Sequence, residues 1–568
     1  MRAHAGAIDD KDNIDGEEKE DKPTHADLLV DIGLTTHLFV DQFGEKYARV
    51  FMAWLSDSTD STNSKNTIIC TEKINDKCNS IYKGSKNAVS AVSPVKVRTR
   101  NVTMSLKGSH FKEWLAERFH TVYCKTAGLG SINSAITTLK GIARRRNIRH
   151  KLYNRVAPDP NGNGFWIDMC DKNCRAIHVT EEGWEIVDNP PILFRDFGQD
   201  PLVLPKKINE DMEVAVVHKF FDFVNVTNPT DQLMLMCIII SYFVPEIEHS
   251  IVGISGDHDS AKSMLCELIK RTVDPSATET LTMSRKEEGL AQQLYHNYVV
   301  CFDNLSSLNT WKSDMLCRAV TGAGLSKRKL FTDDEDVRYF FRRCVMLNGV
   351  NVVARNSDLL DRIIFFKLDK IENKKKKQEI YKEFEKRKSY IFGAMLNILV
   401  KAIRMKKNLN IKYHQRLADF HEWGCAIAVA LGYTAEDFNK VYTLKFEEQN
   451  EIAISSSNVA LALIEWFKEN KDEGKLDQES NLIYFEMTPT EWFKEVSAIA
   501  KRKGIKTLKG WFPVDPPNFS KAVKKIRPNL ESFGISALDH SDGSNRSIIF
   551  DVTEFLGKLK LKEEGQRW

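Results

Sequence analysis

A multidomain α/β and α+β architecture is predicted for this chain, with a central phosphate-loop core and a C-terminal winged helix. Three observations predict it. At 568 residues the chain exceeds what one hydrophobic core supports and points to three or four domains. Between about 225 and 370, successive apolar strand-like runs end in polar residues, as in a parallel sheet whose site lies along its carboxyl edge. Near the C-terminus, capped helices precede two short strands around a polar loop, the order of a winged helix.

The central core is organised around Ser250 to Leu268. A short apolar strand (Ile251, Val252, Ile254) stops at Gly256, a polar loop comes next (Asp257, His258, Asp259, Ser260), and Ala261-Lys262-Ser263 opens a helix. This is the layout G-x-x-x-x-G-K-[ST], with Ala261 where the last glycine is usual. Loop and helix N–H groups in that order converge on phosphates, Lys262 adds a point charge, and the Ser263 hydroxyl suits Mg²⁺. The plain alternative is a strand–turn–helix with an exposed lysine. Forty residues on, Tyr298 to Phe302 is a second buried-strand run ending in Asp303-Asn304, and a carboxylate on a strand adjoining the loop suits the same cation. A third strand, Cys344 to Leu347, ends in Asn348, whose amide suits a water or the terminal phosphate. Ser357 to Arg362 then leads into a fourth run, Ile363 to Leu368.

The formal charge of +4 is near neutral, so its distribution matters more than its sum. Eleven cysteines are scattered through apolar stretches without a disulfide framework, which suits a reducing, cytoplasmic setting. Cys170 and Cys174, or Cys70 and Cys78, lack a second pair at zinc spacing. The acidic start does not resemble a signal peptide. The longest apolar run, Leu233 to Val244, is too short for a bilayer and reads as a core helix, so no membrane association is expected.

In chain order, residues 1–22 carry eight acidic residues and read as a disordered acidic tail. Residues 23–151 read as an α+β domain. It has two strands around Gly44, an alternating strand from Val95 to Met104, and amphipathic helices over Phe111 to Phe119 and Ser131 to Arg145. The Arg144-Arg145-Arg146 run is either a nucleic-acid contact or a solvated helix end. Residues 152–211 read as a hairpin-rich connector, with Phe165 to Asp168 paired to Ala176 to Val179. Asp168, Asp171 and His178 sit too close together for a primase-type metal centre and read as turn residues. Residues 212–375 are the phosphate-loop core. Within it, Thr321 to Phe331 holds two glycines before Lys327-Arg328-Lys329, a basic hairpin that is either a polyanion contact or a solvated loop. Residues 376–454 read as a helical lid in which a basic helix gives way to an apolar one from Tyr390 to Arg404.

Residues 455–568 read as the winged helix. Helices are expected over about Asn458 to Asn470, from the capping box Thr488-Pro489-Thr490-Glu491, and over Asn518 to Phe533, with strands at Ile535 to Leu538 and Ser547 to Asp551. Between Lys501 and Arg527 nine Lys/Arg face one acidic residue, Asp515, and Lys521, Lys524 and Lys525 fall on the presumed recognition helix. Binding through such a patch weakens with salt by roughly 0.9 log units per phosphate contact per decade.

With these residues in hand, the chain resembles superfamily 3 helicases, in particular the helicase halves of phage, plasmid and poxvirus primase–helicases. The likeness rests on the phosphate loop, on Asp303, on Thr321, Gly322, Arg328, Leu330 and Phe331, on Asn348, and on Asp358 with Arg362. Similar proteins of mobile elements share the G-x-x-x-S-A-K-S and F-D-N-L-S variants seen here. The resemblance implies a central P-loop (AAA+-like, superfamily 3) ATPase with a C-terminal winged-helix domain. It implies Lys262, Ser263 and Asp303 at ATP–Mg²⁺, Asn348 as sensor and Arg362 as a finger reaching a neighbour's nucleotide. It also implies a homohexameric ring holding single-stranded DNA at the Arg328 hairpin and duplex DNA at the winged helix. Asn304 departs from the pattern, standing where a second carboxylate often acts as general base, and an amide cannot accept a proton at neutral pH. The function expected is an ATP-dependent DNA helicase or translocase replicating a mobile element. The alternative is a nucleotide-switched DNA-binding initiator.

Overall fold

The computed structural model describes residues 22–56, 96–162, 164–305, 308–322, 324–328, 336–349, 357–371, 376–409, 411, 417–477, 480–507, 512–542 and 545–563. The acidic tail (apart from Lys22), the Cys70/Cys78 pair and Lys329 lie outside the described residues. The chain groups into two compact units that divide after Leu152.

In the first unit, helix α1 (His25–Leu34) starts at a reciprocal capping box between Thr24 and Asp27. Strands β1 (His37–Val40), β2 (Lys46–Ser56) and β3 (Lys96–Ser105) form an antiparallel sheet in that order. Helices α2 (Ser109–Tyr123) and α3 (Leu129–Arg146) bury one face each, with Phe111, Trp114 and Phe119 meeting Ile136 and Leu139 in one core. Arg144, Arg145 and Arg146 form the exposed last turn of α3, where cations meet the negative end of the helix dipole.

The second unit opens with an antiparallel sheet of β4 (Val156–Pro158), β5 (Gly164–Asp168), β6 (Ala176–Thr180) and β7 (Trp184–Val187), the β5–β6 hairpin being the one its sequence predicts. One continuous hydrophobic core joins this sheet to elements later in the chain. It runs from Val156 and Phe165 through helix α4 (Pro229–Ser241) to Phe392 and Tyr442. Helix α4 is buried from Leu233 to Ser241, and among the described residues no helix is long and apolar enough to cross a membrane.

Next come β8 (Ile251–Gly256), α5 (Lys262–Val273), α6 (Glu287–His296), β9 (Val299–Phe302) and α7 (Thr310–Thr321). The antiparallel ribbon β10 (Leu325–Arg328) and β11 (Asp336–Tyr339) precedes β12 (Cys344–Asn348) and β13 (Ile363–Leu368). Strands β9-β12-β8-β13 form an all-parallel sheet in that order. Its residues alternate between two cores. Val252, Ile254, Cys301, Met346 and Phe366 face one side, and Ile251, Val300, Phe302, Leu347 and Phe365 face the other. Burial on both faces is why these runs are continuously apolar. One expectation is corrected. The strand ending at Asp303 does not adjoin the loop strand, because β12 lies between them. Helical crossovers let parallel strands pair out of sequence order, so adjacency in sequence does not give adjacency in the sheet.

Helix α8 (Lys377–Lys406) is one continuous helix of 30 residues, where the change of composition near Tyr390 suggested two. Its charged first turns are solvated, and its apolar half is buried against α9 (Ala418–Ala430). Helix α10 (Ala435–Ser456) then leads into the C-terminal part. There α11 (Asn458–Glu469), α12 (Pro489–Arg502) and α13 (Pro516–Ser532) pack on a sheet ordered β14 (Lys475–Leu476), β15 (Ile483–Met487), β17 (Asn545–Asp551), β16 (Ser536–Asp542). The Thr488–Glu491 capping box forms as its sequence predicts. Two of the four strands, β14 and β15, were not read from the sequence. Trp466, Phe467, Trp492 and Phe550 make the aromatic core, and Trp492 Nε1–H donates to Ile548 O at 2.9 Å.

Candidate functional site

The C-terminal ends of β8, β9 and β12 converge with the first turn of α5. Gly256 closes β8 at φ +147°, and a Cβ there would lie 2.3 Å from Leu368 O, so only glycine fits. Asp257, His258 and Asp259 form the exposed turn, while the Ser260 side chain is buried and donates to Asp257 O at 2.9 Å. Ala261 is left-handed (φ 61°, ψ 31°) as the N-cap of α5. That conformation costs an L-residue roughly 1–2 kcal/mol, which is why glycine is usual at this position. Lys262 folds over the loop, its ammonium donating to Gly256 O (2.8 Å), Asp257 O (2.6 Å) and Ser260 Oγ (3.2 Å).

Behind the loop three side chains meet. Ser263 Oγ donates to Asp303 Oδ2 at 3.1 Å, and Asn348 Nδ2 donates to Asp303 Oδ1 at 2.5 Å and to Ser263 Oγ at 3.1 Å. Asp303, two strands away from the loop strand, thus reaches the loop helix directly through Ser263, and Asn348 on the intervening strand bonds to both. Both acceptors fix the Asn348 nitrogen, so its Oδ1 points elsewhere and is buried with no hydrogen-bond partner. A hydroxyl and a carboxylate beside a loop of N–H donors suit a hard cation with a phosphate. Asn304 is exposed and left-handed (φ 55°), and its backbone N–H donates to Asp303 Oδ1 at 2.8 Å.

Arg362 is not part of this cluster. It precedes β13 at the opposite edge of the sheet, where Ile251 N–H donates to its carbonyl at 2.7 Å, and its guanidinium pairs with Asp358 at 2.9 Å. Burial disfavours its charge, but the hydrogen bond and charge of Asp358 prevail and hold it above the ordinary guanidinium range. The backbones of Lys327 and Arg328 lie on β10 of the ribbon.

An ionic cluster that sequence reasoning missed clamps the far end of α5. Asp274 Oδ1 accepts from Arg155 Nε at 2.9 Å, and its Oδ2 accepts from Lys270 Nζ (2.7 Å) and from the Tyr298 and Val299 N–H groups (3.0 Å each). All three ionisable side chains are buried. Burial opposes ionisation of Asp274, yet Lys270 and Arg155 hold its carboxyl well below the usual range. Lys270 also donates to Val299 O at 2.7 Å, so the loop helix is tied to the strand that carries Asp303.

On α13, Lys521, Lys524 and Lys525 are exposed on one face, opposite buried Phe519 and Val523. The nine-cation patch is partly neutralised. Asp539 on β16 pairs with Lys524 and Arg527 at 3.2 Å each. Arg502 pairs with Glu469, and Lys503 with Glu469 and Glu465. Lys501, Lys521 and Lys525 stand outside these pairs.

Residues 217–443 match the family model described as the actinomycete integrative conjugative element replication protein, and residues 459–556 match that of the RepA C-terminal domain of such elements. The matched segments are thus similar to an integrative-element replication protein. No curated protein matches. Among solved structures, an apo form of the NrS-1 C-terminal region aligns at 10% identity over 93% of this chain and 100% of that one, with a TM-score of 0.35. A JCV helicase aligns at 13% identity over 40% of this chain and 68% of that one, with a TM-score of 0.23. Both likenesses are too loose to carry an argument about activity.

Proposed function

We propose that the chain is an ATP-dependent DNA helicase or translocase that acts in replication of an integrative element. One observation carries this reading: the Ser263–Asp303–Asn348 cluster stands directly behind the loop, on the carboxyl edge of a parallel sheet. Loop N–H groups and Lys262 would bind the triphosphate, and Ser263 with Asp303 would hold Mg²⁺, which neutralises charge on the phosphates. Asn348, its amide nitrogen held by Asp303 and Ser263, would act as the sensor of the terminal phosphate. The C-terminal helices and the β16–β17 wing read as a winged helix, with Lys521 and Lys525 free to meet phosphates. In this reading the β10–β11 ribbon is a DNA-contacting pore loop of a homohexameric ring. The exposed Asn304 amide, which cannot act as base, favours the alternative of a slow nucleotide switch.

The test is equilibrium nucleotide binding together with ATP turnover with and without DNA. Lys262→Ala should weaken ATP binding at least about tenfold, by loss of one charge-assisted contact of roughly 1.5–3 kcal/mol, with an unchanged thermal melt. DNA should stimulate turnover by the wild type. Unchanged affinity in the variant refutes the loop assignment. Tight ATP binding without DNA-stimulated turnover selects the switch.

A further inference from the structure

A phosphate loop recognises phosphates through backbone N–H groups and a lysine, and nothing in it reads a base. The order of the sheet indicates where the base would lie. Ser263, Asp303 and Asn348 mark the side of the loop strand taken by β12 and β9, and β13 lies on the other side. A triphosphate whose terminal phosphate met Ser263 and Asp303 would run back across the loop, and its nucleoside would leave over β13.

On that side one polar side chain is built into the frame of the loop. Asn225, in the connection before α4, donates through Nδ2 to Ser260 O at 3.3 Å and to Asp369 O, just past β13, at 2.6 Å. The Ile371 N–H donates to Asp259 O at 3.3 Å and closes the same seam. Carbonyls only accept, so both fix the amide nitrogen toward the protein. The Asn225 Oδ1 accepts from no described residue, which leaves it as a fixed acceptor at this seam.

We propose that Asn225 is a specificity-determining residue that selects adenine over guanine through its fixed Oδ1. This rests on the nucleotide reading of the loop and goes beyond it, because the loop itself does not choose a base. Adenine presents an exocyclic amine that donates to Oδ1. Guanine presents a carbonyl at the same position, which sets two acceptors against each other and leaves both without a donor. The side chain cannot flip to suit guanine, since its NH₂ would leave the Ser260 and Asp369 carbonyls facing an oxygen.

The test is equilibrium binding of fluorescent ATP and GTP analogues to the full chain with Mg²⁺, for wild type and Asn225→Ala. Wild type should prefer ATP by at least about tenfold, the scale of one good hydrogen-bonded base discrimination. Asn225→Ala should bring the two affinities within about threefold of each other. A residue that only steadies the loop would weaken both nucleotides equally and leave their ratio unchanged, so an unchanged ratio overturns the proposal. Equal affinities in the wild type overturn it without any variant, while leaving the loop assignment intact. A wild type that binds neither nucleotide overturns the loop assignment itself, and this inference with it.

Discussion

Asp274→Asn tests whether the buried ionic cluster holds the loop helix against the acid-bearing strand. The substitution keeps shape but removes the charge that balances Arg155 and Lys270, both buried. It also turns an NH₂ donor toward donors that now reach carboxylate oxygen at 2.7–3.0 Å. Breaking a buried pair by removing one partner costs roughly 3–5 kcal/mol, and an inverted buried hydrogen bond adds about 1 kcal/mol, giving roughly 4–6 kcal/mol. Domains are stable by roughly 5–15 kcal/mol, so the variant should lose a large share of its stability. Urea denaturation monitored by circular dichroism reads the loss. A loss below about 1 kcal/mol would refute the reasoning. A second arm separates charge balance from shape: adding Lys270→Met and Arg155→Met to Asp274→Asn removes the stranded cations and should recover part of the loss. The pH dependence takes its sign from the depressed Asp274 carboxyl. Its stabilisation is complete above about pH 4 and is lost as pH falls below that value, and the variant should lack this component.

Two further predictions concern other parts of the molecule. Burial and the nearby Arg342 hold His249 neutral down to about pH 3, so the unfolded chain binds the extra proton between its ordinary 6.5 and that value. Wild-type stability should therefore fall with decreasing pH in that window by up to about 1.4 kcal/mol per pH unit, and His249→Phe should flatten the slope in acid-denaturation series. In the C-terminal part, Asp539 occupies Lys524 and Arg527. Asp539→Ala should tighten duplex DNA binding severalfold and steepen its salt dependence by about 0.9 log units per freed cation, read by fluorescence anisotropy.

What the sequence made legible is local. Gly256, Lys262 and Ser263 lie within a few residues of one another, and their spacing alone places the first at the end of a strand and the other two on the helix after the loop. The Thr488–Glu491 box marks the start of α12 because its hydrogen bonds span only three residues. The long-range features stayed hidden. The insertion of β12 between β8 and β9 depends on which strand each crossover helix returns to, and no local residue pattern records that choice. Arg155 and Asp274 meet across more than a hundred residues, and an arginine among short strands reads as a surface residue until the fold buries it. Asn225 lies 35 residues before Ser260, in a segment with no motif, and its role appears only when its two carbonyl partners are in place. The nine-cation count misled in the other direction, because Asp539 and Glu469, remote in sequence, neutralise part of it.

The sheet also constrains what Arg362 can do. Strand β13 rises from Ile363 beside Ile251 to Leu368 beside Gly256. At about 3.3 Å per residue this sets Arg362 roughly 20 Å from its own phosphate loop, far beyond the reach of an arginine side chain. Among the described residues, therefore, Arg362 is an ion-pair partner of Asp358, and its Nε is buried without a hydrogen-bond partner. A nucleotide phosphate that it met would be bound to the loop of another copy. On the proposed function, a nucleotide at this edge would arrive with the loop of a neighbour. The expectation of a ring and the expectation of an arginine finger are thus one geometric statement. An active site assembled that way would take its loop, Ser263, Asp303 and Asn348 from one chain and its Arg362 from the next, and its turnover per chain would rise with protein concentration until assembly is complete.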